Sequence, residues 1–376
     1  MKILFIGDYS NLHACLAAEL ARLGHQVTVL SDGGAFMRTH ADIRIERRPG
    51  FLGSVRYLFN LFSVLPDLKG YDVVQFINPN FLALRPGKIK YFFDNIRRQN
   101  GKTFLTLAGD DYFFVKACVD GKLFPFSEYK VGDRLTDLSL RDPERMYGWI
   151  SDVNRRWNEY FYEKIDGGMA VLPEYDMAAR PVLGDRLLYT GLPIDIQSLH
   201  FDPIDPAPAK LRILVGMKGG MEIQKGTARL LDICRKLEKE HPDRLEVTVA
   251  KNLPLTEYLD RLRGSHIVVD QLYAFSPATN ALQTMAFGRI PVSGLQPEAV
   301  KYYKWPDSVK TCDSPSGIEA NFMIPVSPLT DSERQLRKII ENPGAIPEMS
   351  HAARAFVEAN NDVRDIAAKF LKKYES

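Results

Sequence analysis

Twice along this chain, apolar runs of four to six residues alternate with stretches of helical period, and a proline-rich connector separates the two series. Strands separated by helices build a parallel sheet with helices on both faces, because a parallel neighbour needs a crossover long enough to hold a helix. In the first series residues 3–6 form a buried strand. Leu12, Leu16, Leu20 and Leu23 then recur at helical spacing until Gly24 stops the helix. Strands at 27–30, 72–77 and 103–107 follow, with a helix near 88–99. Pro203, Pro206 and Pro208 make residues 201–209 a semi-rigid connector. The second series has strands at 211–215, 245–249, 266–269 and 290–293, with helices from Thr227, near 255–263 and near 277–286. A long helical segment, about 351–374, closes the chain. The fold class implied is α/β, with two doubly wound, Rossmann-like parallel-sheet domains.

Composition narrows the partners. At roughly 150 residues per domain, 376 residues suit two domains, each with its own core. With 45% hydrophobic and 26% charged residues, the chain is neither disordered nor fibrous. A net charge of +2 excludes a nucleic-acid binder that relies on overall charge. Cys15, Cys118, Cys234 and Cys312 are too scattered for zinc or a disulfide framework, so a reducing cytoplasm is expected. Residues 3–6 are too short for a signal-peptide core, and no run reaches the ~18 apolar residues of a membrane span. The protein is expected to be soluble, or at most attached to the inner face of the cell membrane.

In parallel sheets ligands bind beyond the carboxyl ends of the strands, so the residues directly after each strand carry the information. The first such loop, residues 7–13, offers Asp8, Asn11 and His13. Its single glycine is not the G-x-G-x-x-G of a dinucleotide site. Alternatively, Ser10 or Asn11 caps the helix and His13 decorates its first turn. After the 103–107 strand, Asp110 and Asp111 are adjacent acids, whose repulsion a ligand or cation would relieve; a solvated turn is the alternative.

In the second half, residues 216–220 follow a strand, and Lys225, Gly226 and Thr227 open the next helix. Backbone amides, the positive helix end and the mobile charges of Lys218 and Lys225 suit a diphosphate, with Gly219 and Gly226 letting it approach the backbone. A flexible surface loop with solvated lysines is the competing reading. If Ser276 caps the following helix and Pro277 takes its first position, Ala278, Ala281, Leu282 and Met285 share an apolar face. Ser276, Thr279, Asn280 and Gln283 then form an uncharged polar face suited to reading a ligand, or to satisfying neighbouring backbone.

These segments, in this order, resemble the retaining glycosyltransferases of family 4 and their GT-B relatives. The loop 7–13 with its helix and residues 24–29 is similar to the family's first βαβ unit. Residues 192–195 resemble the segment before the interdomain linker, and 225–227 the donor-phosphate lysine motif. Residues 269–271 and 282–292 resemble the donor-sugar and nucleotide segment. The resemblance implies a GT-B fold with a cleft between the domains and a last helix that crosses back onto the first. The first domain would then be 1–200 plus 351–376, and the second 210–350. It also implies a transferase that moves a sugar from a nucleotide diphosphate sugar to a saccharide or lipid-linked saccharide, with retention. No Asp-x-Asp cluster stands beside the phosphate loop, so neither a metal nor another cofactor is expected. Lys225, with Lys218, would stabilise the leaving diphosphate, and Asp111 would orient the acceptor or donor sugar. Asp8, Asn11, His13 and Asp110 would face the acceptor.

Two departures accompany the resemblance. Phe275 and Gln283 stand where the family's Glu-x7-Glu motif has its acids, and Ala108-Gly109-Asp110-Asp111 replaces His-Gly-x-Asp. A catalytically degenerate binding protein is therefore the alternative function, and a nucleotide-sugar 2-epimerase a third. Lastly, residues 44–62 set Arg44, Arg47, Arg48 and Arg56 beside Phe51, Leu52, Tyr57, Leu58, Phe59, Leu61 and Phe62. That pattern suits either attachment to an anionic membrane or an ordinary core helix with an arginine rim.

Overall fold

The computed structural model describes residues 1–33, 39–217, 219–304, 309–311 and 318–376. The chain opens with β1 (Lys2–Ile6), α1 (Leu12–Arg22), β2 (Gln26–Ser31) and β3 (Ile43–Arg44). Next come α2 (Gly50–Val64), β4 (Val73–Phe76), α3 (Pro86–Gln99), β5 (Lys102–Leu107) and α4 (Tyr112–Asp120). A small hairpin, β6 (Lys130–Val131) and β7 (Arg134–Leu135), precedes α5 (Asp137–Arg141), α6 (Pro143–Trp149) and α7 (Asp152–Lys164). The first series ends with β8 (Gly167–Ala170), α8 (Pro173–Leu183) and β9 (Leu187–Tyr189).

The second series starts with β10 (Leu211–Met217), α9 (Thr227–Glu240), β11 (Leu245–Lys251), α10 (Leu255–Arg263) and β12 (Ile267–Val269). It continues with α11 (Thr279–Ala286), β13 (Ile290–Ser293), α12 (Pro297–Val300), the hairpin β14 (Val309–Thr311) and β15 (Ile318–Ala320), and β16 (Ile324–Pro325). Helices α13 (Ser332–Glu341), α14 (Ile346–Asn361) and α15 (Val363–Glu375) complete the chain.

Two parallel sheets result, ordered β3-β2-β1-β4-β5-β8-β9 and β11-β10-β12-β13-β16 among the described residues. In the first, Phe5 pairs with Val29 on one side and Gln75 on the other. In the second, Val215 stands between Val249 and Val269. Helices cover both faces, so central strand positions are apolar and closed to solvent: Ile3, Leu4, Phe5 and Ile213 expose nothing. The α/β class with two doubly wound sheets is thus observed.

The chain divides into two compact units. One contains residues 1–117, 144–193 and 363–376, the other 118–143 and 194–362. The terminal segment is two helices, not one: α14 belongs to the second unit, and Asp362, at φ −59°, ψ 122°, breaks the helical run. Helix α15 belongs to the first unit, where Ile366, Ala367, Phe370 and Tyr374 join Ile3, Phe5, Leu16 and Phe104 in one core. Residues 118–143 also depart from the simple division, since they lie within the first series yet pack in the second unit.

Each sheet has a switch point where the chain, having wound to one side of a strand, resumes on the other. In the first sheet it lies between β1 and β4, in the second between β10 and β12.

Candidate functional site

The second unit holds the better-defined site. The loop after β10 carries Lys225, and the residue after β12 is Asp270, so the two flank that sheet's switch point. Lys225 Nζ lies 3.6 Å from Asp270 Oδ1. Asp270 is 1% exposed and receives further hydrogen bonds from Asn280 Nδ2 (3.2 Å) and Ser293 Oγ (3.2 Å). Asn280 Oδ1 in turn accepts the Tyr258 hydroxyl at 2.7 Å, and burial raises that phenol well above its ordinary pKa, with the Asp270 charge adding to it. A buried carboxylate is costly unless paired and hydrogen-bonded. Here two hydrogen-bond donors and the nearby lysine charge offset that cost, and the lysine, about a third exposed, keeps donor capacity for a second anion.

The glycines around Lys225 serve a purpose other than the expected one. Gly226 has φ +67°, and a Cβ on it would lie 2.7 Å from Leu272 Cβ and 3.0 Å from the Tyr273 ring. The segment that makes the close approach is the protein's own 272–273 loop, joined by the Leu272 N–H donating to Lys225 O at 2.8 Å. Several amides expected to cradle phosphate are also engaged. The N–H of Gly219 donates to Asn252 Oδ1 (2.7 Å), that of Lys225 to Met221 O (2.9 Å) and that of Gly226 to Ile223 O (3.1 Å). Thr227 is buried, its hydroxyl 3.4 Å from Glu222 O. Among the described residues, the Lys225 ammonium and the start of α9, which has no acid in its first turn and no side-chain cap, are the features suited to an anion. Lys218 lies outside the described residues.

Helix α11 begins at Thr279, not Pro277, and its N-cap is Ala278. Ser276 is therefore no cap, and it is fully buried, outside any ligand-reading face. Thr279, Asn280 and Gln283 do share a half-buried face, with Asn280 committed to Asp270 and Tyr258. Phe275, where the family resemblance has an acid, is buried and meets Phe124 edge-on at 5.1 Å. Phe124 comes from the 118–143 excursion, which also sets Glu128 Oε1 2.7 Å from Gln224 Nε2, one residue before Lys225.

In the first unit most of the expected site residues are structural. His13 is completely buried between Gly7 O (Nδ1, 2.6 Å) and Thr106 Oγ1 (Nε2, 2.8 Å), and burial lowers its pKa to about 3. A neutral imidazole in the core cannot face an acceptor. Asp8 is buried as well; its carboxylate accepts the His13 N–H at 2.8 Å, and burial raises its pKa. The side chain that satisfies this first-turn N–H is thus that of Asp8, although Asn11 holds the N-cap position. Asn11 instead has a left-handed backbone, φ 67°, and its side chain makes no cap. Gly7 is required at the turn: it has φ +81°, and a Cβ would stand 2.3 Å from Ile77 Cγ2.

Asp111 also turns inward. One oxygen accepts the Phe114 N–H (2.8 Å), the other the Tyr162 hydroxyl (2.5 Å), and burial pushes its pKa up to about 6. With both oxygens used within its own unit, it is a helix-start brace and not an acceptor-orienting group. Asp110 is the outward member of the pair, 16% exposed, with the Arg145 guanidinium 4.0 Å away. The Tyr9 ring lies over Gly109, 3.1 Å from where a Cβ would sit.

The sequence alone did not single out Asp270 as the partner of the lysine, nor Ser293 and, through Asn280, Tyr258 as the groups around that carboxylate. The rule that singled out other strand-end residues reaches Asp270 and Ser293, which stand directly after β12 and at the last position of β13. Arg145 and Phe124 carried no such signal, being fixed by tertiary contacts alone.

No family model and no curated protein matches the sequence. Solved structures do match its fold. Sucrose-phosphate synthase from Thermosynechococcus elongatus superposes with a TM-score of 0.59 at 13% identity, over 100% of this chain and 98% of that one. The catalytic domain of starch synthase IV from Arabidopsis thaliana, bound to ADP and acarbose, gives 0.58 at 10% identity, over 100% and 99%. WaaG, a glycosyltransferase involved in lipopolysaccharide biosynthesis, gives 0.56 at 10% identity, over 98% of each chain. The fold is therefore the two-sheet GT-B fold found among glycosyltransferases.

Proposed function

We propose that this protein transfers a glycosyl group from a nucleoside diphosphate sugar to a saccharide or lipid-linked saccharide hydroxyl, and that the second unit holds the donor. The observation that carries the reading is the Lys225–Asp270 pair across the switch point of the second sheet, where α/β sheets bind their ligands. That the starch synthase sharing the fold is bound to ADP supports a nucleoside diphosphate as the class of ligand.

In the transfer the bond between the anomeric carbon and the diphosphate oxygen breaks, the acceptor oxygen bonds to that carbon, and the acceptor proton leaves with the diphosphate or to solvent. Negative charge grows on the departing oxygen, and a positioned cation there lowers the barrier. Lys225 is that cation, and Asp270, braced by Asn280 and Ser293, fixes where its ammonium points. The transfer needs no divalent metal in this account: the Asp270 oxygens are already engaged by the lysine, the amide and the hydroxyl. Retention of anomeric configuration rests on the sequence resemblance alone. On the acceptor side, Asp110 with Arg145 takes the place that Asp111 cannot fill.

The test is release of nucleoside diphosphate from a panel of nucleotide sugars, with and without a chelator. Turnover that persists in chelator supports the account, and turnover restored only by magnesium or manganese overturns its metal-free form. A second reading, nucleotide binding without transfer, is favoured by the burial of His13, Asp111 and Phe275, which leaves those positions without reactive groups. Tight nucleotide binding with no turnover on any sugar or acceptor would select it.

A further inference from the structure

Helix α2 is turned inside out. Tyr57 and Leu61 are its buried residues, and the Tyr57 hydroxyl oxygen accepts the Ala83 N–H at 3.1 Å. Phe51, Val55, Phe59 and Phe62 recur at i, i+4, i+8 and i+11 with Leu52 beside them, so they form one stripe of the opposite face. That stripe is open: Phe51 and Leu52 are each 81% exposed and Phe59 71%. Phe62, also exposed, continues the surface onto α3, with its ring 5.8 Å from that of exposed Tyr91. Isolated exposed apolar residues are ordinary, but a contiguous aromatic stripe along a helix of about 22 Å marks an interaction surface.

The charges beside the stripe select the partner. Residues 47–66 contain three arginines and no acid. Arg47 is tied to Ala83 O and Ser54 Oγ, while Arg48 and Arg56 stand exposed at the edge of the stripe, and Lys88 is exposed on α3 one turn before Tyr91. A second copy of the chain meeting this face symmetrically would bring like charges together. An aromatic stripe rimmed by cations matches a surface with an apolar interior and an anionic boundary, which is a bilayer containing acidic phospholipid.

We infer that α2 docks this protein on anionic membranes, lying in the interfacial plane with Phe51, Leu52, Val55, Phe59 and Phe62 inserted. This contact is independent of the donor site. It places the first unit at a lipid surface whether or not sugar transfer occurs.

The experiment is co-sedimentation of the full chain with vesicles of phosphatidylglycerol and phosphatidylcholine, and of phosphatidylcholine alone. The protein is expected to bind the mixed vesicles at low salt, to release them at high salt, and to ignore the neutral ones. The double variant F51S/F59S should lose binding while keeping the wild-type melting temperature, since neither side chain packs in a core. R48Q/R56Q should weaken binding about tenfold or more and flatten its salt dependence. Failure of the folded wild type to bind the mixed vesicles would overturn the inference, as would undiminished binding by F51S/F59S. Gel filtration covers the remaining occupant: a wild-type dimer that F51S/F59S converts to monomer, with no vesicle binding, would assign the stripe to a second copy instead.

Discussion

Burial separates Lys225, the group proposed to bind the donor, from His13, a structural one. Lys225 leans on a buried carboxylate but keeps a third of its side chain open, and we expect Lys225→Ala to weaken nucleoside diphosphate binding about 10- to 100-fold, the loss of one charge-assisted contact. Asp270→Asn should weaken it less, because the ammonium remains but loses its guide. His13, in contrast, is a core residue whose folded pKa of about 3 lies below the ordinary 6.5. A depressed histidine pKa means that the unfolded chain binds the proton first. Its contribution to stability is therefore intact above about pH 6.5 and is lost as pH falls towards 3. Asp111 has the opposite sign: its raised pKa gives a contribution present below about 3.8 and lost as pH rises through about 6. Urea unfolding of wild type and His13→Gln at several pH values isolates the first effect. The wild type should lose more stability than the variant between neutral pH and pH 4; parallel curves would remove the assignment of His13 as a buried neutral imidazole.

At the scale of elements, α15 is the piece that most needs its tertiary setting. Phe370 exposes nothing and packs with Phe5 and Leu16, so Phe370→Ala should cost about 3–5 kcal/mol of first-unit stability by chemical denaturation. A loss below about 1 kcal/mol would mean that α15 merely rests on that unit. Strands such as 3–6 and 211–215 were legible in the sequence because a sheet covered on both faces demands mostly apolar runs, broken in the second only by exposed Arg212. Helix starts were less so: Ser276-Pro277 has the composition of a cap and first turn, yet the chain enters α11 two residues later with Ser276 buried. The break at Asp362 was hidden because apolar residues at helical spacing continue across it. Helix α2 left two readings open from its composition, since a helix with apolar residues on every side does not say which ones are covered. The structure covers Tyr57 and Leu61 and leaves the phenylalanines out.

For the whole molecule, two doubly wound sheets were readable from periodicity and order, whereas a last helix that returns to the first unit was implied by the resemblance alone. The 118–143 excursion was not, because only contacts distant in sequence, such as Phe124 with Phe275 and Glu128 with Gln224, assign it to the second unit. The same limit applied to the sites. Order along the chain singled out Lys225 at the opening of α9, but position alone could not tell that Asp111 and His13 point into the core. The account stands on the second unit as the place where a nucleoside diphosphate binds. Isothermal titration of the wild type and of Lys225→Ala with UDP, ADP and GDP tests this directly. The account predicts saturable one-to-one binding of at least one of the three to the wild type, weakened about 10-fold or more by the substitution; equal affinities in the two proteins, or no binding of any of the three to a folded wild type, would contradict it.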